Sequence, residues 1–168
     1  DIDSQLVAQL PSQSLLIVHH PLIFSPIKSL DNSHPSALIK QMIKKDISLI
    51  AMHTNFDKTH LNKYVLEKVL QLPCEEQNEF LALSQTSYSF DELFAYVCDK
   101  LSFPYQKRVA SNDKINQKIA LTTGSGASLI KDAQLADADC FLTGDIKYHD
   151  AMMARELGLN LIDIGHFE

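Results

Sequence analysis

"LIVHHPLIF" (residues 16–24) starts as an apolar run, ends on the adjacent imidazoles of His19 and His20, and is broken by Pro21. With Ser14 and Leu15 the run reads as a buried strand over 14–18. Proline cannot extend a ladder, so the two histidines sit where a strand gives way to a turn. Neighbouring side chains on a regular strand face opposite ways, but at a proline-led turn both can splay toward one pocket. Alone the pair is a weak signal, because histidines in a loop are more often solvated or hydrogen-bonded than metal-bound.

Strand-like and helix-like segments alternate on both sides of this point. "PSALIKQMIKK" (35–45) reads as a helix with proline in its first turn, and "ISLIAM" (47–52) as the next strand. "HLNKYVLEKVLQL" (60–72) places Leu61, Tyr64, Val65, Val69 and Leu72 on one helical face before Pro73. "EFLALS" (79–84) is a strand, and Ser89 followed by Glu92 makes a capping box for a helix over 90–101. Strands follow at "YQKRVA" (105–110) and "QKIALTT" (117–123), then a helix over 127–135 and the strand "CFLTG" (140–144). A helix over 146–157 closes at Gly158, and "LNLIDIG" (159–165) is the last strand.

This alternation predicts an α/β fold with mixed or parallel sheets. All five glycines fall between 124 and 165, so the two halves are punctuated differently. The polar stretch "PCEEQNE" (73–79) offers a soft boundary, giving α/β domains over 1–76 and 77–168. "HTNFD" (53–57), "GSGAS" (124–128), "TGDIKYHD" (143–150) and "GHFE" (165–168) each follow a strand, as the histidine pair does. In α/β sheets ligands gather at the carboxyl ends of strands, so a metal site there is the natural expectation. "GSGAS" lacks the lysine and spacing of a phosphate loop, so close packing explains it as well as nucleotide contact.

At 168 residues and 45% hydrophobic, the chain can bury one substantial core or two small ones. The absence of a long apolar segment or a signal-like start predicts a cytoplasmic protein away from membranes. A formal charge of −6 argues against nucleic acid as a partner, because such binders cluster Lys and Arg. Lys40, Lys44 and Lys45 read as the solvated face of a helix. Cys74, Cys98 and Cys140 are few, odd in number and far apart, which reads as core thiols.

Taken together, "HHPLIF", "HTNFD", "LTTGSG", "LTGDIKYHDA" and "GHFE", in this order, resemble the Ngg-interacting-factor-three family, whose members are also called GTP cyclohydrolase type 2 homologues. The resemblance implies a dinuclear metal protein of two related α/β domains that assembles as a toroidal homohexamer. It makes His19, His20, Asp57 and His166 the ligands of two divalent ions, zinc, iron or manganese. Read by itself, Asp57 is a helix N-cap and His166 a polar loop residue. His53 becomes a neighbour of the ligands or a substrate contact, and His53 and His149 are the candidate general acids or bases. Asp145 could orient a ligand, although capping explains it equally well. His34 and His60 read as surface residues.

The chain departs from the family at Ala127, where a further glycine is expected. Family members also carry a strand and a helix before the point of Asp1, and an acidic ligand beyond Glu168, so the chain is expected to be a fragment trimmed at both ends. Two functions are compatible with these residues. One is a metal-dependent hydrolase using metal-activated water on a nucleotide or another small molecule; the other is a non-catalytic scaffold that binds metal or a partner.

Overall fold

In the computed structural model, which describes residues 1–102 and 106–166, the apolar runs form strands of two separate sheets. The chain divides into two units, Asp1–Phe56 and Asp57–Glu168. The smaller contains α1 (Ser4–Gln9), β1 (Leu15–Val18), α2 (Ser36–Lys44), β2 (Ser48–Ala51) and α3 (Thr54–Phe56). Asp3 caps α1 by accepting from the Leu6 amide at 2.7 Å. β1 and β2 pair in parallel from Leu15 with Ser48 to Val18 with Ala51, and α2 carries the chain between them.

Val7, Leu38 and Met42 form the buried centre of this unit, with Leu16, Val18 and Leu49 packed on it. Leu15 and Ile17 alternate with these and are 56% and 58% exposed, so β1 is covered on one face rather than two. An all-apolar run hides that alternation. Lys45, which reads as solvated, sends its ammonium to the carbonyls of Val7, Ala8 and Leu10 at 2.9, 2.6 and 2.9 Å. These lie at the end of α1, where carbonyls lack partners within the helix and attract a cation.

The larger unit opens with an overwide helical stretch, in which π turns at Asp57–Leu61 and Val65–Val69 flank α4 (Asn62–Tyr64). The Leu70 amide bonds the Val65 carbonyl five residues back at 2.8 Å. This winding turns Asn62, Leu66 and Leu70 inward and leaves Tyr64 59% exposed, where a regular helical period predicts Tyr64 inside. Leu66, Leu70 and Leu72 belong to the core of this unit.

Next come β3 (Glu76–Asn78), β4 (Leu81–Tyr88), α5 (Phe90–Leu101), β5 (Lys107–Val109) and β6 (Asn116–Ser125). α6 (Ile130–Leu135), β7 (Cys140–Gly144), α7 (Tyr148–Glu156) and β8 (Asn160–Asp163) complete the unit. The strands form one mixed sheet in the order β3-β4-β6-β7-β8-β5. β6, β7 and β8 run parallel, and the outer pairings are antiparallel. β3 lies in the polar 73–79 stretch, where pairing with β4 overrides a linker-like composition.

The central strands are apolar on both faces, as a sheet covered on both sides requires. Ile119, Leu121, Cys140, Leu142 and Ile162 pack with Leu66, Leu70, Phe90, Leu93 and Val97. Their alternates Ala120, Phe141 and Leu161 pack with Ile130, Ala133 and Ala154 of α6 and α7. The capping box forms at α5: the Ser89 amide donates to Glu92 Oε2 at 2.9 Å, and the Ser89 hydroxyl does so at 2.6 Å. These bonds hold the Glu92 carboxyl below its ordinary range. The box is therefore complete at neutral pH and is lost as pH falls through that lowered value.

Asn62 joins the helical stretch to the sheet. Its Nδ2 donates to the Phe80 carbonyl at 2.8 Å, and its Oδ1 accepts from the Thr123 amide at 2.9 Å and hydroxyl at 2.7 Å. Asn62→Ala leaves the Thr123 amide and hydroxyl on β6 without their acceptor, while the Phe80 carbonyl keeps the Thr122 hydroxyl, and it should cost about 1–3 kcal/mol. Exposed Lys63→Ala should cost less than about 0.5 kcal/mol. Urea denaturation of both variants checks the difference, and equal midpoints would refute the bridging role.

Candidate metal centre

The register of β1 and β2 assembles a cluster of imidazoles in the smaller unit. Val18 faces Ala51 across the ladder, and the Met52 amide still reaches the Val18 carbonyl at 2.8 Å. Continuing that register past the strand ends sets His20 beside His53. The ring centroids of His19 and His20 lie 4.9 Å apart, those of His19 and His53 5.0 Å, and those of His20 and His53 5.4 Å. One ligand nitrogen from each of the three lies within 4.8 Å of the others. All three are half-buried. His20 Nδ1 is also 2.8 Å from Asp1 Oδ1, and His20 lines a cleft of about 310 Å³ with Asp1, Pro21 and His34. A compact set of imidazoles beside a carboxylate is a donor set that zinc, iron and manganese accept.

In the larger unit, the ends of β6, β7 and β8 touch backbone to backbone at the carboxyl edge of the sheet. A Cβ on Gly144 would strike the Gly165 carbonyl, and one on Gly126 would strike the Thr143 hydroxyl. Thr143 Oγ1 accepts from the Gly126 amide at 2.9 Å and donates to the Gly124 carbonyl at 3.1 Å. Close packing thus accounts for "GSGAS". Asp163 staples the other two loops, accepting from the Ile146 amide at 3.2 Å and the Gly165 amide at 3.1 Å.

His166 is set into this edge. Its Nε2 lies 3.5 Å from where a Cβ on Gly124 would stand, and its Nδ1 is 2.8 Å from Asp145 Oδ2. The amide of Lys147, the residue before α7, goes back to Asp150 in the first turn at 2.9 Å, while Asp145 reaches the imidazole. Asp57 is half-buried and opens the first π turn, which packs against β6. His149 is exposed in the first turn of α7, with its ring edge-on to Tyr148 at 5.4 Å. His60 Nδ1 lies 2.6 Å from the Thr59 hydroxyl. Glu168 and Tyr105 lie outside the described residues.

The structure thus groups His19, His20 and His53 in the smaller unit, and His166 with Asp145 in the larger. Asp1 and Asp163 were not legible as parts of these arrangements, since neither stands in a spacing that marks it. Cys140 is a core thiol, whereas Cys74 and Cys98 are only half-buried and donate to the Glu76 carbonyl and the Gln106 side chain; burial pushes all three thiols up, most strongly Cys140.

A family model described as Duf34/NIF3 (NGG1p interacting factor 3) matches residues 1–168. The GTP cyclohydrolase 1 type 2 homolog of Campylobacter jejuni is 44% identical over 169 residues, spanning 100% of this chain and 69% of that protein. The GTP cyclohydrolase 1 type 2 of Helicobacter pylori is 39% identical, over 99% of this chain and 68% of that protein. Among solved structures, Staphylococcus aureus protein SA1388 superposes with a TM-score of 0.75 at 28% identity, covering 90% of this chain and 67% of its own. Reduced HcgD from Methanocaldococcus jannaschii gives a TM-score of 0.77 at 27% identity, with 91% and 63% covered.

The contact between the β7 and β8 loops yields a prediction. Gly144→Ala forces the Gly165 backbone away and should destabilise the chain by about 1–3 kcal/mol. Gly158→Ala meets nothing within 4 Å and bears only the strain of its φ of +70°, about 1 kcal/mol. Thermal unfolding compares the two. The approach is not tight if Gly144→Ala is the milder.

Proposed function

The chain belongs to the Duf34/NIF3 (NGG1p interacting factor 3) family, and from that premise we propose that it carries the dinuclear metal site of a hydrolase. The observation that carries this reading is the cluster of His19, His20 and His53 with ligand nitrogens within 4.8 Å. In this reading His19, His20, Asp57 and His166 would hold two divalent ions, zinc, iron or manganese. When bound, such ions supply Lewis acidity and a nucleophilic water at neutral pH. His53, beside the ligand pair, moves a proton at the attacked centre, and His149 on the first turn of α7 is the second candidate acid or base.

The names of the Campylobacter and Helicobacter relatives make GTP the first substrate to try. The ring cleavage that those names denote is a hydrolysis, which this donor set can serve. The two-domain kinship over 1–76 and 77–168 and the homohexameric ring are part of the same proposal and rest on the family resemblance.

Metal analysis of protein purified without added metal, followed by assay against nucleotides, cyclic amides and phosphoesters, tests the reading. Bound zinc, iron or manganese is expected, with turnover that tracks occupancy. His19→Ala should lower both by at least about tenfold. Full metal content in His19→Ala would remove that residue from the ligand set. Full metal content without turnover on any substrate would favour the scaffold.

A further inference from the structure

We infer that Asp1 and Asp145 are positioning residues that fix the tautomer and direction of His20 and His166. The inference rests on the metal reading above. In each pair a carboxylate oxygen stands 2.8 Å from the imidazole Nδ1. An ionised carboxylate only accepts, so the ring must donate from Nδ1, and in the neutral imidazole the lone pair then falls on Nε2. A metal ligand needs that lone pair at a fixed nitrogen with a fixed aim, and a carboxylate behind the ring supplies both and raises its basicity.

A second observation comes from the backbone. Asp145 has φ of +58°, the left-handed region that every residue but glycine enters at a cost. That turn is held in place by Asp163, which binds the amides of Ile146 and Gly165 on either side of the pair. Asp145 is not the helix cap: the residue before α7 is Lys147, whose amide goes to Asp150. The smaller unit repeats the division: Asp3 caps α1, and Asp1 goes to His20. In both places two acids lie close in sequence, one closing a helix and the other holding an imidazole.

The test pairs nitrogen-resolved NMR of the imidazoles in the metal-free chain with calorimetric titration by zinc at one neutral pH. Asp145→Gly relieves the backbone and removes the carboxylate. Asp46→Gly is its control, because Asp46 is an exposed aspartate with φ of +54°. Both should leave the metal-free thermal midpoint unchanged or higher. Only Asp145→Gly should weaken zinc, by about 10–100-fold, with the His166 signals moving from the Nδ1–H form to a mixture of tautomers. Asp1→Asn should do the same to His20. Should Asp145→Gly fail to fold, Asp145→Asn keeps the side-chain shape and is held to the same zinc and NMR criteria. Unchanged tautomers and unchanged zinc affinity in these variants overturn the inference while leaving the metal site standing. No uptake of zinc, iron or manganese by the unsubstituted chain overturns the metal reading and this inference with it.

Discussion

The backbone of Gly144 lies so close to the Gly165 carbonyl that no side chain fits between them. On that approach the rest of the larger unit's carboxyl edge depends. It brings the loop after β7 within reach of the loop after β8, so that Asp163 can bind amides of both. The joined loops in turn present Asp145 to His166. Remove the approach and the imidazole loses its carboxylate, although neither residue has been touched. The glycines of 124–165 are therefore spent on contact between loops as much as on turns.

The smaller unit solves the same problem with strand register. Parallel strands end at a common edge, and a ladder without a bulge from Leu15 to Val18 delivers the residues after β1 and β2 to the same level. β1 ends at Val18, before the imidazoles, and Pro21 follows them, so that the chain turns away and His53 stands beside them after β2. Two short strands and a proline suffice to collect three imidazoles. A one-residue slip of that register would send alternate side chains to the other face and disperse the cluster.

How much of this was legible follows from which forces are local. The α5 helix and its Ser89–Glu92 box were readable because capping acts over three residues. "CFLTG" was readable as a strand because a run apolar on both faces suits a central parallel strand. The inward face of the stretch after Asp57 was not, because π turns change the period from which a face is read. β3 was hidden in a polar stretch, since a three-residue edge strand owes its existence to its partner. Within the candidate site, the histidines stood out by residue type. That His53 joins His19 and His20 depends on parallel register, which no single stretch of sequence carries.

The acids show the limit most clearly. Asp3, Asp145, Asp150 and Asp163 all stand near the start of a helix or the end of a strand, where an aspartate reads as a cap. Asp3 is a cap, and Asp150 takes the amide of the residue before α7. Asp163 is a staple between two loops, and Asp145 faces an imidazole. The difference lies in what the neighbouring strand brings opposite each carboxylate, a property of the sheet order β6-β7-β8 rather than of local sequence. A chain with a formal charge of −6 has acids to distribute in this way. Under the proposed metal reading such an excess would be favourable, because a carboxylate behind an imidazole offsets cationic charge that imidazoles alone leave uncompensated.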